Sequence, residues 1–288
     1  MDFNQIFSGI KCPEDERELA VFKTLKPVII EKLKVVLEAR HLKHTGRPIT
    51  TDFNQFFDAL FFIVESGSQT RYVKRLFGIP KTTFNRYLKI VIESHILINV
   101  YNEIIKNNCS PKTLITDTFI VKSMRGSEGL GRNPTDRGRK GLKVSLICDI
   151  DRVTQAVHIG SANKSDTKLL IQTIDKYERP TQLVECLADA GYVGCEVRNQ
   201  CRIKNYRMIV KPRNTSKKGK QTHVLSKRDA ELLRAKRNQI ELLNGQIRRF
   251  KSLMIKWVRN ISTYECFLYV ALLCITCYQL FVINKRTS

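Results

Sequence analysis

Apolar residues recur at helical spacing early in the chain: Leu19, Phe22, Leu25, Ile29, Ile30, Leu33, Val36 and Leu37 share one face. His44-Thr45-Gly46-Arg47-Pro48 breaks that pattern. A second apolar stripe follows, made of Phe53, Phe56, Phe57, Leu60, Phe61 and Val64. Thr51 and Asp52 can cap its start and Gly67 ends it. Ser68 then predicts the cap of a short helix from Gln69 to Phe77, and Gly78-Ile79-Pro80 predicts a turn. A further helix runs from about Thr82 through Phe84, Tyr87, Leu88, Val91 and Ile92. Helix, tight glycine turn and helix form the helix-turn-helix pattern. Lys81, Thr82, Thr83, Asn85, Arg86 and Lys89 occupy the start and outer face of the last helix, where base and phosphate contacts are made.

From about residue 111 the period changes. Leu114 to Val121, Val144 to Cys148 and Gln155 to Ile159 read as strands, with Asp149-Ile150-Asp151-Arg152 as a turn between the last two. Ser165 caps a helix bearing Leu169, Leu170 and Ile174. Leu183 to Leu187 and Met208 to Val210 are short buried strands with a further helix between them, and Asp229 to about Trp257 reads as one long helix. This order predicts an α/β fold: a ribonuclease-H-like mixed sheet flanked by helices, preceded by an all-helical helix-turn-helix region. The predicted divisions are 1–46, a helical segment; 47–110, a helix-turn-helix-like DNA-binding domain; and 111–288, a catalytic domain.

Charge sharpens this picture. Fifty Lys and Arg oppose 27 Asp and Glu, a formal net charge of +23 over 288 residues. Such an excess points to nucleic acid or an anionic membrane surface. With 42% apolar residues, the chain has enough material for a core and is not a disordered polycation. Nine scattered cysteines, and a Met1-Asp2-Phe3-Asn4 start unlike a secretory leader, predict reduced thiols. Cys274 and Cys277 have zinc-like spacing but fall within an apolar helical run, where buried thiols are expected. The stretch Cys266 to Ile283 is almost wholly apolar; Thr276, Tyr278 and Gln279 interrupt it, and a helix packed on the core is expected rather than a membrane span.

Three acids stand in unlike settings. Asp117 follows Leu114-Ile115-Thr116, Asp189 ends Leu187-Ala188 and precedes Ala190-Gly191-Tyr192, and Glu241 lies inside the basic helix. A carboxylate in or beside a buried strand is costly unless it is paired or bound to a cation. Two carboxylates at neighbouring strand ends, with a third from a helix, suit a pair of divalent cations at a phosphodiester. Arg234, Arg237, Glu241, Gly245 and Arg248 share one helical face, beside an apolar face of Leu233, Ile240, Ile247 and Met254. Gly245 costs about 1 kcal/mol in a helix interior relative to Ala, which close approach of a substrate backbone would justify. The segment Gly131-Arg132-Asn133-Pro134-Thr135-Asp136-Arg137-Gly138-Arg139-Lys140-Gly141-Leu142-Lys143 reads as an irregular loop. Its Arg137, Arg139, Lys140 and Lys143 are candidate phosphate contacts. Asp136 is expected in a salt link, and Asn163 with Ser165 and Asp166 at a helix start.

These motifs, in this order, resemble DDE transposases of bacterial insertion sequences, nearest the insertion-sequence-five group, over roughly residues 47–283. The likeness rests on the Asp117 strand, the Asn133 to Gly141 run, Ala162-Asn163-x-x-Asp166, Asp189-x-Gly191-Tyr192, and Arg237-x-x-x-Glu241 followed seven residues on by Arg248. The chain departs from the family pattern where Arg234 replaces a Tyr, Arg248 replaces a Lys, and Thr70 stands where relatives often carry Trp. The resemblance implies that Asp117, Asp189 and Glu241 are catalytic and bind two Mg2+ ions, with Mn2+ as a substitute. It implies nicking of terminal inverted repeats and attack of the freed 3′ hydroxyl on target DNA, with Arg237 and Arg248 holding DNA near the site. It further implies a dimer on DNA, no membrane, and a cytoplasmic, nucleoid-associated setting in a bacterium; a nuclear or viral setting is open. A transposase-derived DNA-binding regulator, or a nuclease without strand transfer, are the alternatives.

Overall fold

Residues 17–41, 52–108, 111–126, 128–134, 136–177, 180–213 and 223–287 are described by the structure, a computed structural model. The chain divides into two compact units: Met1–Asn108 with Ile247–Ser288, and Cys109–Gln246.

In the first unit, helix α1 (Arg17–His41) buries Phe22, Leu25, Ile29 and Leu33 completely, as its spacing predicts. The break expected at 44–48 lies outside the described residues. Helix α2 (Phe53–Ser66) begins where the Asp52 side chain accepts from the Asn54 N–H, and ends at Gly67 with φ 70°. Both cap positions match the sequence expectation, because a β-carbon at that φ would be strained. The next helix differs. A 3-10 turn, Thr70–Tyr72, runs into α3 (Val73–Phe77), and Ser68 is not the cap. Its hydroxyl instead accepts from Ser66 Oγ at 2.8 Å, so the local turn captures it. Gly78, φ 67°, leads through Pro80 into α4 (Lys81–Glu93), and α5 (Ile96–Asn108) follows. Phe56 of α2 packs on Phe57, Phe84 and Tyr87 at ring distances of 5.1, 5.3 and 5.9 Å, which fixes α4 on α2.

The second unit is built on a mixed sheet. Strand β1 (Thr113–Ser123) runs antiparallel to β3 (Lys140–Asp149) and parallel to β5 (Val184–Ala188), which runs parallel to β6 (Tyr206–Val210). The far edge of β3 carries β2 (Gly131–Arg132) and β4 (Thr154–Ser161). Helices α6 (Asp166–Ile174) and α7 (Cys195–Ile203) flank the sheet, and Leu114, Ile147, Leu170, Cys186, Cys201 and Tyr206 lie at the centre of that packing. Ser165 caps α6 by accepting from the Lys168 N–H. The Gly131 to Lys143 segment is more ordered than a loop. Its ends pair as β2 and β3, and the turn between is closed by Asn133 N–H to Arg139 O at 2.8 Å and Gly138 N–H to Asn133 O at 3.0 Å.

The predicted long helix is three pieces: α8 (Lys227–Lys236), α9 (Asn238–Arg249) and α10 (Lys251–Met254). The breaks at Arg237 and Phe250 rotate the register. Leu233, Ile240 and Ile247 are buried as expected, but Met254 is exposed and Leu243, Phe250 and Leu253 are buried with them. The last residues of α9, with α10, β7 (Ile255–Lys256) and α11 (Ile261–Thr287), group with the N-terminal helices rather than with the sheet. Helix α11 packs on α1 and α5. It is long and apolar enough to cross a membrane by length and composition, yet most of its surface is buried within its own unit. Cys274 and Cys277 are buried there as reduced thiols. Lys256 is fully buried too, its ammonium donating to the carbonyls of Val258 and Arg259 at 2.7 and 2.8 Å. Those bonds satisfy a cation that would otherwise be costly to bury.

The β3–β4 turn supplies a pH-dependent test. Asp149 Oδ1 accepts from the N–H groups of Asp151 and Val153, and burial pushes its carboxyl up to about 6. A carboxyl raised in the folded state takes up a proton that the unfolded chain releases, so stability falls as pH rises from about 4 to about 6 and is level above. Asn in place of Asp149 keeps an acceptor and removes the titration. In urea melts, the advantage of Asp149→Asn over wild type should open across that window; a difference independent of pH would contradict the assignment.

Candidate active site

Asp117 lies in mid-β1 opposite Leu146 of β3, half-buried and flanked by buried Thr116 and Phe119 two positions on. Burial raises its pKa; the Thr118 N–H and the Arg237 guanidinium pull it back, and the charges of Asp189 and Asp166 push it up. Asp189 follows β5 directly. Its side chain accepts from the Ala190 N–H at 2.7 Å and caps the 3-10 turn Ala190–Tyr192. The β1–β5 pairing matches Ile115 with Leu187. Two residues further along each parallel strand stand Asp117 and Asp189, so the register brings the two acids level on adjacent strands.

Glu241 sits in the first turn of α9. Arg237, in the break before that helix, reaches Asp189 Oδ2 at 3.3 Å and Glu241 Oε1 at 3.5 Å with one nitrogen. Asn244, three residues beyond Glu241, places its Nδ2 3.5 Å from Asp117 Oδ2. Helix α9 and the residue that precedes it therefore reach all three predicted acids. Among the described residues, no three His, Cys, Asp or Glu side chains approach closely enough by themselves to enclose a metal. The Arg237 guanidinium lies between two of the acids and neutralises their repulsion. The donor set is nonetheless that of a hard divalent cation: carboxylate oxygens, with the carboxamide oxygen of Asn244 buried and without a partner beside them.

Other predicted residues fare differently. Arg137, Arg139 and Lys140 are exposed on the β2–β3 turn, and Asp136 pairs with Lys122 at 3.3 Å as expected of a salt link. Arg137 holds φ 50° and Gly138 φ 72°. Gly131 is required, since a β-carbon there would fall 2.2 Å from Asn163 Oδ1. Lys143 is a correction: it is largely buried, and its ammonium donates to Asp166 Oδ1 and to Lys164 O, each at 2.9 Å, so it braces the turn before α6 instead of facing a phosphate. Thr118 donates to the same Asp166 oxygen at 2.7 Å. Strand alternation put Thr118 on the face opposite Asp117, but sequence could not name its partner 48 residues away.

Arg234 is exposed and, with Lys211, Arg237, Asn238 and the apolar Leu225, Ala230 and Leu233, lines a cavity of about 360 Å3. Arg248 is exposed at the end of α9 within the helical unit, beside Arg249, which pairs with Glu18 at 3.0 Å. On α4 of that unit, Lys81, Thr82, Asn85, Arg86 and Lys89 are exposed and Thr83 is half-buried. Arg86 lies over the Tyr87 ring, 5.2 Å from its centroid and so within cation–π reach, and Lys89 pairs with Glu93 at 3.6 Å.

Gly245 is exposed, and a β-carbon added there meets nothing within 4 Å. Packing within the chain gives no reason for it. Gly245→Ala should therefore raise stability by about 1 kcal/mol in denaturant melts. If a substrate backbone passes over this face, the same variant should lose DNA cleavage; a variant both stabler and fully active would remove Gly245 from the site.

Residues 109–277 match the family described as the transposase DDE domain. No curated protein matches the chain. Among solved structures, a piggyBac transposase synaptic complex with hairpin DNA aligns at TM-score 0.55 and 10% identity, over 96% of this chain and 77% of that one. A Mos1 strand transfer complex aligns at TM-score 0.31 and 9% identity, over 96% and 98%. At such identity the first likeness bears on the fold, and it agrees with a ribonuclease-H-like sheet flanked by helices. With the family match spanning more than half its length, the chain belongs to the transposase DDE domain family.

Proposed function

We propose that this transposase nicks DNA at terminal inverted repeats and joins the freed 3′ ends to target DNA, using Asp117, Asp189 and Glu241 to hold two divalent ions. The observation that carries the proposal is the level placement of Asp117 and Asp189 on adjacent parallel strands, with Arg237 drawing Asp189 and Glu241 together. Transposases of this family generally use divalent ions, and magnesium, with manganese as a substitute, fits an all-oxygen donor set. Such ions, when bound, activate the attacking oxygen and stabilise the leaving one. The protein's own groups do the rest. Asp117 and Asp189 are held by strand register and by the Ala190 N–H, so little reorganisation is needed at the moment of reaction. Arg234, Arg137, Arg139 and Lys140 are exposed cations that grip phosphates of the DNA end. Arg237 exchanges carboxylate partners for phosphate, a charge-assisted contact with another oxyanion.

The helical unit, through α4, supplies a second DNA contact of helix-turn-helix kind, and Arg248 belongs to this set. We further propose that two copies act together on paired ends, in the nucleoid of a bacterial cell, and that the nearest relatives are of the insertion-sequence-five group. The test is an assay with the purified chain, magnesium, and DNA carrying the inverted repeats that flank its gene. Nicked ends and joined products are expected. Nicks without joined products would make it a nuclease, and bound but uncut DNA would make it a regulator.

A further inference from the structure

Asn244 is a buried polar side chain beside Asp117 whose carboxamide oxygen finds no partner within the protein. It is 8% exposed and sits on α9 between buried Leu243 and buried Ile247. Its Nδ2 faces Asp117 Oδ2 at 3.5 Å, and its Oδ1 has no hydrogen-bond partner and no access to water. A buried carbonyl oxygen left unpaired is destabilising, and leucine, of similar volume, would avoid that penalty. Reversing the amide does not help, because Oδ1 would then oppose the Asp117 carboxylate, acceptor against acceptor. Spacing of three residues puts Asn244 on the same helical face as Glu241. An oxygen donor therefore lies buried beside one acid and in line with another.

We infer that Asn244 is a fourth oxygen ligand of the cation site, donating its carboxamide Oδ1 to the ion shared with Asp117. This rests on the proposed cation-binding role of the three acids and adds a donor that the three-acid pattern lacks. The amide nitrogen, held toward Asp117, aims the oxygen. Amide oxygens are ordinary ligands of hard divalent cations, and their loss weakens a site without dismantling it.

The experiment is calorimetric titration of Mn2+ into the full chain without DNA, with thermal unfolding of each variant alongside. Wild type should bind, and Asp117→Asn should lose most of that binding. Asn244→Leu should fold cooperatively with an equal or higher Tm, since it removes an unpaired polar group, yet bind Mn2+ about 10-fold or more weakly. Asn244→Ala, which adds no bulk, should show the same loss, and it decides the matter if the leucine variant fails to fold. Asn244→Asp restores an oxygen and should bind at least as tightly as wild type. Binding by Asn244→Ala within twofold of wild type, or Asn244→Asp as weak as Asn244→Ala, overturns the assignment. Wild type that binds no Mn2+, with Asp117→Asn unchanged from it, would instead bring down the cation site itself and Asn244 with it.

Discussion

Glu241→Gln is expected to reduce DNA strand cleavage by at least about 10^3-fold, roughly 4 kcal/mol of transition-state stabilisation, while leaving DNA affinity intact or slightly raised. The substitution keeps size and hydrogen-bonding capacity and removes one negative charge from a site that needs it to hold a cation. Asp117→Asn and Asp189→Asn should behave alike. The sign of the binding change is diagnostic. A chain of net charge +23 attracts phosphate through its cations, and removing a carboxylate can only strengthen that attraction. A residue that merely contacted DNA would lose affinity when changed. The check is a pair of measurements on the same preparations: cleavage of a labelled substrate with magnesium, and filter or gel binding with calcium or no divalent ion. Cleavage by Glu241→Gln within tenfold of wild type would remove that residue from the catalytic group. Side-chain geometry makes Glu241 the most exposed test of the three, because among the described residues it is Arg237, at 3.5 Å, that ties it to its companions.

Phe56→Ala should destabilise the helical unit by about 3–5 kcal/mol, the cost of emptying a large aromatic site in a packed core. Phe56 is fully buried and touches the rings of Phe57, Phe84 and Tyr87, which gives the cavity left behind no solvent to fill it. Phe84 and Tyr87 are the inner residues of α4, so the loosened contact lies directly beneath exposed Lys81, Asn85, Arg86 and Lys89. Specific DNA binding should fall with stability. Urea unfolding followed by circular dichroism gives the magnitude, and a loss below about 1 kcal/mol would mean that the aromatic cluster does not hold α4.

The elements that could be read from sequence are those whose signals are local. Asp52, Gly67 and Ser165 cap or end the helices assigned to them, because a cap is a matter of one side chain and the N–H groups beside it. The strands around Asp117 and Asp189 were visible because apolar runs bounded by turn residues have few other uses. Ser68 misled because a hydroxyl can choose between a helix N–H and a neighbouring turn, here Ser66, with almost the same local sequence. The single helix from Asp229 to Trp257 misled because breaks at Arg237 and Phe250 require no proline or glycine. Their cause lies in what each face packs against, and periodicity carries no trace of it.

Lys143 and Asn244 show the same limit at the site. A lysine in a basic segment and an asparagine in a polar helix look like surface residues, yet one is tied to Asp166 and the other buried beside Asp117. The sequence by itself determined that three acids belong to regular elements or their ends, that the chain is built to meet a polyanion, and that a helical part precedes a sheet. Tertiary structure alone decided that Asp117 and Asp189 stand level, that Arg237 is drawn between Asp189 and Glu241, and that the chain beyond Ile247 belongs with the N-terminal helices. The physical reason is range. Caps and periodicity act over a few residues, whereas strand register, ion pairing and burial of an apolar helix are settled between segments tens to hundreds of residues apart, by which surfaces can leave water together.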